Sequence, residues 1–436
     1  MQMIALIILI TLLICFFIGA NDSPVIVQPS IQNNDKTDKL NSNFWLMIIG
    51  EILGAIFLGS IVANTIINRI VDLTPLYNNI DLLFISIISI LIVVFVFLLA
   101  SQFIPFPIST SHTMIGGIIG IGYLFKFKLF YPAILKIALI WILTPILGLV
   151  AGFLFYQSIK FFIFKKKNPQ SFPFLFLFFL IVIFFFCLKI INKLDFSSRI
   201  VITLTLFSII ILMVYLFIKN GKRIKNSSDR FKQLYYQDSK QVSIEGIIEE
   251  YEGIENLFKP MQKILLPFIS FAHGANDTGN AISLASLFIY IYILNRGKIF
   301  NLNLKDYQIQ TLETCIAILL LAGSIALSSG IMLLGRKRFS KIKIENLKIS
   351  PIRGFCIYLA SSLVIILTSG FGYRVSTVYT LAGSLLGIGY SKGFEIFNSK
   401  LLIQLTISWL FTFLFSIVST YFLCKMFMML FNLNIN

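Results

Sequence analysis

The chain is short of charge. Asp, Glu, Lys and Arg make up 13% of its 436 residues, against about 25% in an ordinary soluble domain. Acid is the scarcer sign, with 19 Asp plus Glu against 36 Lys plus Arg and a formal net charge of +17. Histidine is rarer still, and His112 and His273 are the whole complement. So few polar side chains cannot cover a soluble globular fold, which excludes a soluble enzyme. The lack of a polar domain on which a basic patch could lie excludes nucleic-acid binding as the source of the +17. Five cysteines (Cys15, Cys187, Cys315, Cys356 and Cys424) lie in or beside apolar runs and form no CxxC. That excludes a disulfide framework or a thiolate metal site.

What is abundant is hydrocarbon. Apolar residues make up 57% of the chain, 45 of them Phe, and the mean hydropathy is +0.89. Plentiful Phe, Ile, Lys and Asn also follow from AT-rich coding DNA without selection on function. The length of the apolar runs does not, because a bilayer-spanning helix needs roughly 20 apolar residues. Twelve candidate segments fall near 3–22, 44–67, 80–104, 109–125, 131–164, 172–192, 198–218, 264–294, 310–335, 352–372, 376–391 and 401–431. The fourth and eleventh are short, Gly-rich and open on a polar cluster, so each reads as half of a broken or re-entrant helix. The first could instead be a cleaved leader, since Ile18-Gly19-Ala20 resembles a small-residue cleavage site. No Lys or Arg precedes it, which argues against that reading.

Basic clusters follow the odd-numbered segments: Lys165–Lys167 after the fifth, Lys219, Lys222, Arg223 and Lys225 after the seventh, Arg336–Arg338, Lys341 and Lys343 after the ninth. The positive-inside rule makes that side cytoplasmic. Both termini then lie outside if all twelve segments cross. The largest polar stretch, 219–263, mixes these bases with Glu245, Glu249, Glu250, Glu252 and Glu255, and reads as a cytoplasmic linker with one or two surface helices.

The chain repeats itself. Gly19-Ala20-Asn21-Asp22 recurs as Gly274-Ala275-Asn276-Asp277, Ser109-Thr110 as Ser376-Thr377, and Gly120-Ile121-Gly122-Tyr123 as Gly387-Ile388-Gly389-Tyr390. Seven crossings separate the two Gly-Ala-Asn-Asp copies, so they enter the membrane from opposite sides. That is an inverted-topology repeat, which places a substrate site near the midplane between the halves. The fold class expected is therefore an all-α polytopic membrane protein of about twelve segments in two inverted repeats with broken or re-entrant helices. The halves are 1–164 and 264–436, joined by connecting helices over 165–218 and the 219–263 loop.

Ionisable groups inside membrane segments are costly and mark function. Asp22, Glu51 and Asp277 are the candidates. Each Asp follows an Asn (Asn21, Asn276) in a Gly-Ala turn where the helix could break and free carbonyls for a cation; Asn280 lies one turn on. The alternative is that these residues cap helix ends near the interface, and that Glu51 makes only a structural hydrogen bond. The cluster Ser109-Thr110-Ser111-His112-Thr113 opens a Gly-rich helix after Pro107, and Ser376, Thr377 and Thr380 repeat it. Free N–H groups at a helix N-terminus, with hydroxyl donors, suit an oxyanion such as phosphate or sulfate; simple N-capping is the alternative. His112 could donate to the anion or relay a proton, and His273 could orient the second Asp.

These motifs resemble the inorganic phosphate transporter (PiT) family of phosphate:cation symporters. The residues that carry the resemblance are the two Gly-Ala-Asn-Asp copies, Asn280, Pro107 through Thr113, Glu51 with Gly54-Ala55, and the basic turn Gly335-Arg336-Lys337-Arg338. The resemblance implies a twelve-helix inverted repeat with both ends outside, phosphate uptake coupled to Na⁺ or H⁺, and dimers. Three positions depart from the family pattern: Tyr358 stands where an acid is expected, and Arg374 and Tyr379 where the second serine-rich motif has Pro and His. The expected function is a secondary transporter importing inorganic phosphate by alternating access, in the plasma membrane, with no cofactor and no catalytic residue. Ser109, Thr110, Ser111, His112, Thr113, Ser376, Thr377 and Thr380 would hold phosphate. Asn21, Asp22, Glu51, Asn276, Asp277 and Asn280 would hold the cation, with Asp22 and Asp277 as Na⁺ ligands if sodium drives transport. A sulfate permease on the same fold is the first alternative, and an intramembrane lipid pyrophosphate phosphatase the second.

Overall fold

A computed structural model describes residues 1–30, 37–64, 70–103, 109–165, 244–299, 308–341, 349–391 and 399–433, with five isolated positions between 215 and 230. Segments six and seven (172–192 and 198–218), Tyr215 excepted, lie outside the described residues, as do Pro107 and Ile108. The described chain is helical, and its only pairing of extended backbone is the isolated bridge Val71–Leu129. Helices α1 (Gln2–Val27), α2 (Thr37–Asn64), α3 (Ile80–Ala100), α4 (Thr110–Phe125) and α5 (Tyr131–Ile159) form the first half. The second half holds α6 (Ile244–Ile299) and α7 (Gln308–Gly330), which runs through a π turn into the short α8 (Arg336–Lys341). It ends with α9 (Pro351–Gly370), α10 (Thr377–Tyr390) and α11 (Ser399–Leu430).

Eight of these helices are long and apolar enough to cross a membrane: α1, α2, α3, α5, α6, α7, α9 and α11. Besides the six-residue α8, the other two, α4 and α10, are 16 and 14 residues long, too short at 1.5 Å per residue for a hydrocarbon core of about 30 Å. The second follows α9 across the six residues 371–376. Both are nevertheless almost wholly buried. The apolar side chains that face outward sit elsewhere, on α5 (Leu135, Leu139, Ile142, Ile146) and α11 (Ile407, Leu410, Leu414, Phe422). Continuous exposed hydrocarbon of that kind faces lipid in a polytopic protein.

The halves interlock. α1 packs on α7 as α6 packs on α2, and α10 packs on α5 as α4 packs on α11. Gly274 of α6 lies against the backbone carbonyl of Glu51, and Gly54 of α2 against that of Phe271. Neither position has room for a methyl group. Small residues thus let two backbones touch where lipid gives no hydrophobic drive to associate.

Two expectations change. Both Gly-Ala-Asn-Asp copies lie inside continuous helices, α1 and α6, so the carbonyls of the second remain in the helical ladder, whereas in the first Pro24, which has no N–H, leaves the Ala20 carbonyl without its ladder donor. Their glycines serve close packing instead. In addition, α6 begins at Ile244, inside the stretch read as a linker. Ile254, Phe258, Met261 and Leu265 recur at helical spacing and are fully buried, while Glu255 Oε2 accepts from the Ile352 N–H at 2.8 Å and caps the start of α9. Glu255 is thus buried within a docked helix.

Candidate functional site

His273 is the hub. It lies on α6, four residues before Asp277 and fully buried. Its Nδ1 is 2.7 Å from Glu51 Oε1 on α2. Its Nε2 is 3.3 Å from Asp22 Oδ2 on α1 and 3.3 Å from Asp277 Oδ2. The three membrane carboxylates singled out from the sequence thus meet around one imidazole, drawn from both halves. A neutral imidazole donates from one nitrogen, so it satisfies both sides only as an imidazolium or opposite a protonated carboxyl. Three acids around one histidine make a cation-attracting centre. Asp22, His273 and Asp277 each offer a ligand atom within 4.8 Å of the others, a spacing that could hold a metal ion. Asp22 is the partly exposed member, with 14% of its side chain accessible, whereas Glu51 is sealed. The remaining oxygen of Glu51, Oε2, is buried without a partner among the described residues.

Asp277 also joins the two short helices. Thr110, first residue of α4, donates to its Oδ1 at 3.2 Å, and Thr377, first residue of α10, donates to its Oδ2 at 3.0 Å. Asn276 Nδ2 is 3.1 Å from the same Oδ2 and donates to the Val375 carbonyl at 2.7 Å, while its Oδ1 accepts from the Val375 N–H at 3.3 Å. Asn280 Nδ2 donates to Ser111 Oγ at 3.1 Å, and Ser111 Oγ is 3.4 Å from the Val375 carbonyl. The starts of α4 and α10, with their positive dipole ends, therefore converge on the carboxylate cluster.

The remaining candidates are placed differently. Ser109 caps α4, accepting from the His112 N–H at 3.5 Å. Thr113 and Thr380 turn their hydroxyls back to the carbonyls of Ser109 and Ser376, 3.0 Å away in each case. Ser376 stands at the start of α10 but makes no side-chain cap bond. His112 reaches no carboxylate; its ring lies 3.8 Å from that of Trp141, with Trp409 and Tyr379 also around it. Asn21 does not follow its counterpart Asn276. Its Oδ1 accepts from Arg338 Nη1 and Gln102 Nε2, and its Nδ2 donates to the Leu98 carbonyl at 3.3 Å. Arg338 Nη2 also donates to the Ser101 carbonyl at 2.8 Å. Sequence reasoning missed Arg338 and Gln102 as partners of Asn21, and the tryptophans as partners of His112. The scarcity of Trp was the available signal, since two of its three copies sit there.

The pattern of the phosphate transporter family matches residues 6–420. The chain belongs to that family. Among its relatives is a protein of Chlamydia pneumoniae whose name proposes a phosphate permease. It is 28% identical over 424 residues, which cover 93% of this chain and 94% of the relative. The inorganic phosphate transporter 2-1, chloroplastic, of Arabidopsis thaliana is 25% identical, covering 92% of this chain and 69% of the relative. A solved structure described as the sodium-dependent phosphate transporter superposes with a TM-score of 0.76 at 22% identity, over 98% of this chain and 100% of that one. This member of the phosphate transporter family is thus a multi-pass integral membrane protein and not an enzyme, and the phosphatase alternative falls with that result. Its departures from the family pattern have physical roles. Tyr358, where an acid is expected, donates its hydroxyl to the Ile26 carbonyl at 2.8 Å and so closes the end of α1. Tyr379 joins the aromatic wall around His112.

Proposed function

We propose that this chain imports inorganic phosphate against its gradient, driven by a cation that binds between Asp22 and Asp277. The observation that carries this reading is the pair of hydrogen bonds donated by Thr110 and Thr377 to the two oxygens of Asp277. One carboxylate holds the first residues of both short helices. A cation at that carboxylate would displace the hydroxyl hydrogens from it, so that each threonine oxygen can face the cation while its hydrogen, with the helix N-termini, turns to an oxyanion. A cation beside a multiply charged anion also lowers the cost of burying either. Coupling then follows from shared ligands. Na⁺ suits the hard oxygen set of two aspartates and two threonines, and the name of the solved relative favours it. H⁺ is the second reading, favoured by His273 lying between carboxylates on both ring nitrogens.

Phosphate is preferred to sulfate by Asn280. Its Oδ1 is a buried acceptor without a donor among the described residues, and a protonated phosphate oxygen can donate to it where sulfate cannot. The two halves act as an inverted repeat that rocks about this centre, in the plasma membrane with both termini outside. The test is uptake of labelled phosphate into proteoliposomes under separately imposed Na⁺ and H⁺ gradients, with unlabelled sulfate as competitor. Accumulation driven by one gradient and resistant to sulfate supports the reading; no accumulation under either gradient contradicts it.

A further inference from the structure

Arg374 is an expensive residue that nothing yet described accounts for. It precedes α10 by three positions and is 4% exposed. Among the described residues its guanidinium makes one side-chain bond, Nη2 to the Val62 carbonyl on α2 at 3.4 Å, the long limit of such a contact. Its Nη1 is buried with no partner among the described residues. No acid there pairs with it. A charge taken out of water without a counter-ion is among the least favourable arrangements in a protein.

The backbone around it is fixed. Trp141 Nε1 donates to the Arg374 carbonyl at 3.0 Å, and Asn276 holds both the N–H and the carbonyl of Val375. The segment therefore delivers the arginine to one place, beside the entrance to α10. At that entrance Ser376 leaves the first turn of a 14-residue helix without a side-chain cap. An uncapped helix N-terminus and an unpaired guanidinium, both buried and three residues apart, lack the same thing, which is an anion. The matching position of the first half is Pro107, so the feature belongs to one half only.

We propose that Arg374 is the fixed counter-charge of the transported oxyanion. When phosphate enters, the guanidinium turns from the Val62 carbonyl and takes two phosphate oxygens in a forked contact, while the N–H groups of α10 take a third. Arg suits this better than Lys because its planar donors match two oxygens at once. The anion so held is the doubly charged form, bound from the second half of the molecule. This inference rests on the transport reading, and its test separates the two.

Wild-type, Arg374→Gln and Arg374→Lys proteins are reconstituted, and initial rates of phosphate uptake are measured against phosphate and against the driving cation, normalised to inserted protein. Loss of one charged, two-pronged contact predicts that Arg374→Gln raises KM for phosphate about ten- to a hundredfold. Its maximal rate and half-saturation for the cation should stay within about twofold of wild type. Arg374→Lys, which keeps the charge and loses the fork, should fall between the two, with a phosphate KM a fewfold above wild type and well below that of Arg374→Gln. A purely structural arginine would lower the maximal rate and both affinities together, or show no recovery by Lys; either result overturns the proposal, as does an unchanged KM. If the glutamine variant does not insert, Arg374→Lys decides alone: a raised phosphate KM at an unchanged maximal rate supports the proposal, and an unchanged KM contradicts it. Absence of uptake by wild type would instead contradict the transport reading itself.

Discussion

At the scale of single residues, one imidazole holds the centre together. Among the described residues, His273 is the only group that touches Asp22, Glu51 and Asp277 together. His273→Ala leaves three carboxylates buried against one another, and removing one partner of a buried charged set costs about 3–5 kcal/mol. Thermal melting of the detergent-purified variant should show that loss, with driven uptake abolished; an unshifted melting temperature would mean the cluster is not held by the ring. Thr110→Val and Thr377→Val each delete one hydroxyl from Asp277 at nearly constant volume. Each should cost about 1–3 kcal/mol and weaken cation activation of uptake, with serine restoring most of it. Equal cation half-saturation in the valine variants and wild type would remove Asp277 from the coupling site. The paired serine-rich motifs made Thr110 and Thr377 legible from sequence. They did not reveal that both point at the same aspartate, because that depends on how α6 threads between the short helices.

At the scale of elements, glycine decides the geometry. Gly274→Ala places a methyl group against the Glu51 backbone carbonyl, so α2 and α6 must separate. Overpacking of this kind costs about 1–3 kcal/mol, and it draws Glu51 away from His273. The expected result is a lowered melting temperature and reduced uptake, while Leu147→Ala on the lipid-facing side of α5 leaves both near wild type. The same glycines explain what the sequence could not tell. Gly-Ala-Asn-Asp reads equally well as a helix break or as a site of close helix contact, and only the neighbour's position separates the two. Asn21 and Asn276 show the limit further. Their local sequence is identical, yet Arg338, more than 300 residues away, claims the first. The onset of α6 was hidden for a related reason, because glutamates at 245–255 interrupt the apolar pattern of the sequence, and the partner of the buried stripe, α9, follows about a hundred residues later.

At the scale of the whole molecule, the bilayer assignment, the duplicated motifs and the meeting of both halves were readable in outline. Hydropathy and repeat order need no knowledge of packing. By the positive-inside rule the basic clusters are expected to place the polar stretch before α6 on the cytoplasmic side. An epitope at either terminus should therefore be reached by antibody on intact cells, and detection only after permeabilisation would reverse the orientation. On the proposed mechanism, rocking of one half against the other would be a motion about the His273 cluster, where α1 packs on α7 and α6 on α2. The most direct test of that account is labelled phosphate uptake by proteoliposomes of wild type and Asp277→Asn under an imposed cation gradient. The account predicts concentrative uptake by wild type and, at equal inserted protein, none above the undriven background by the variant. Gradient-driven uptake by Asp277→Asn at the wild-type rate would contradict it.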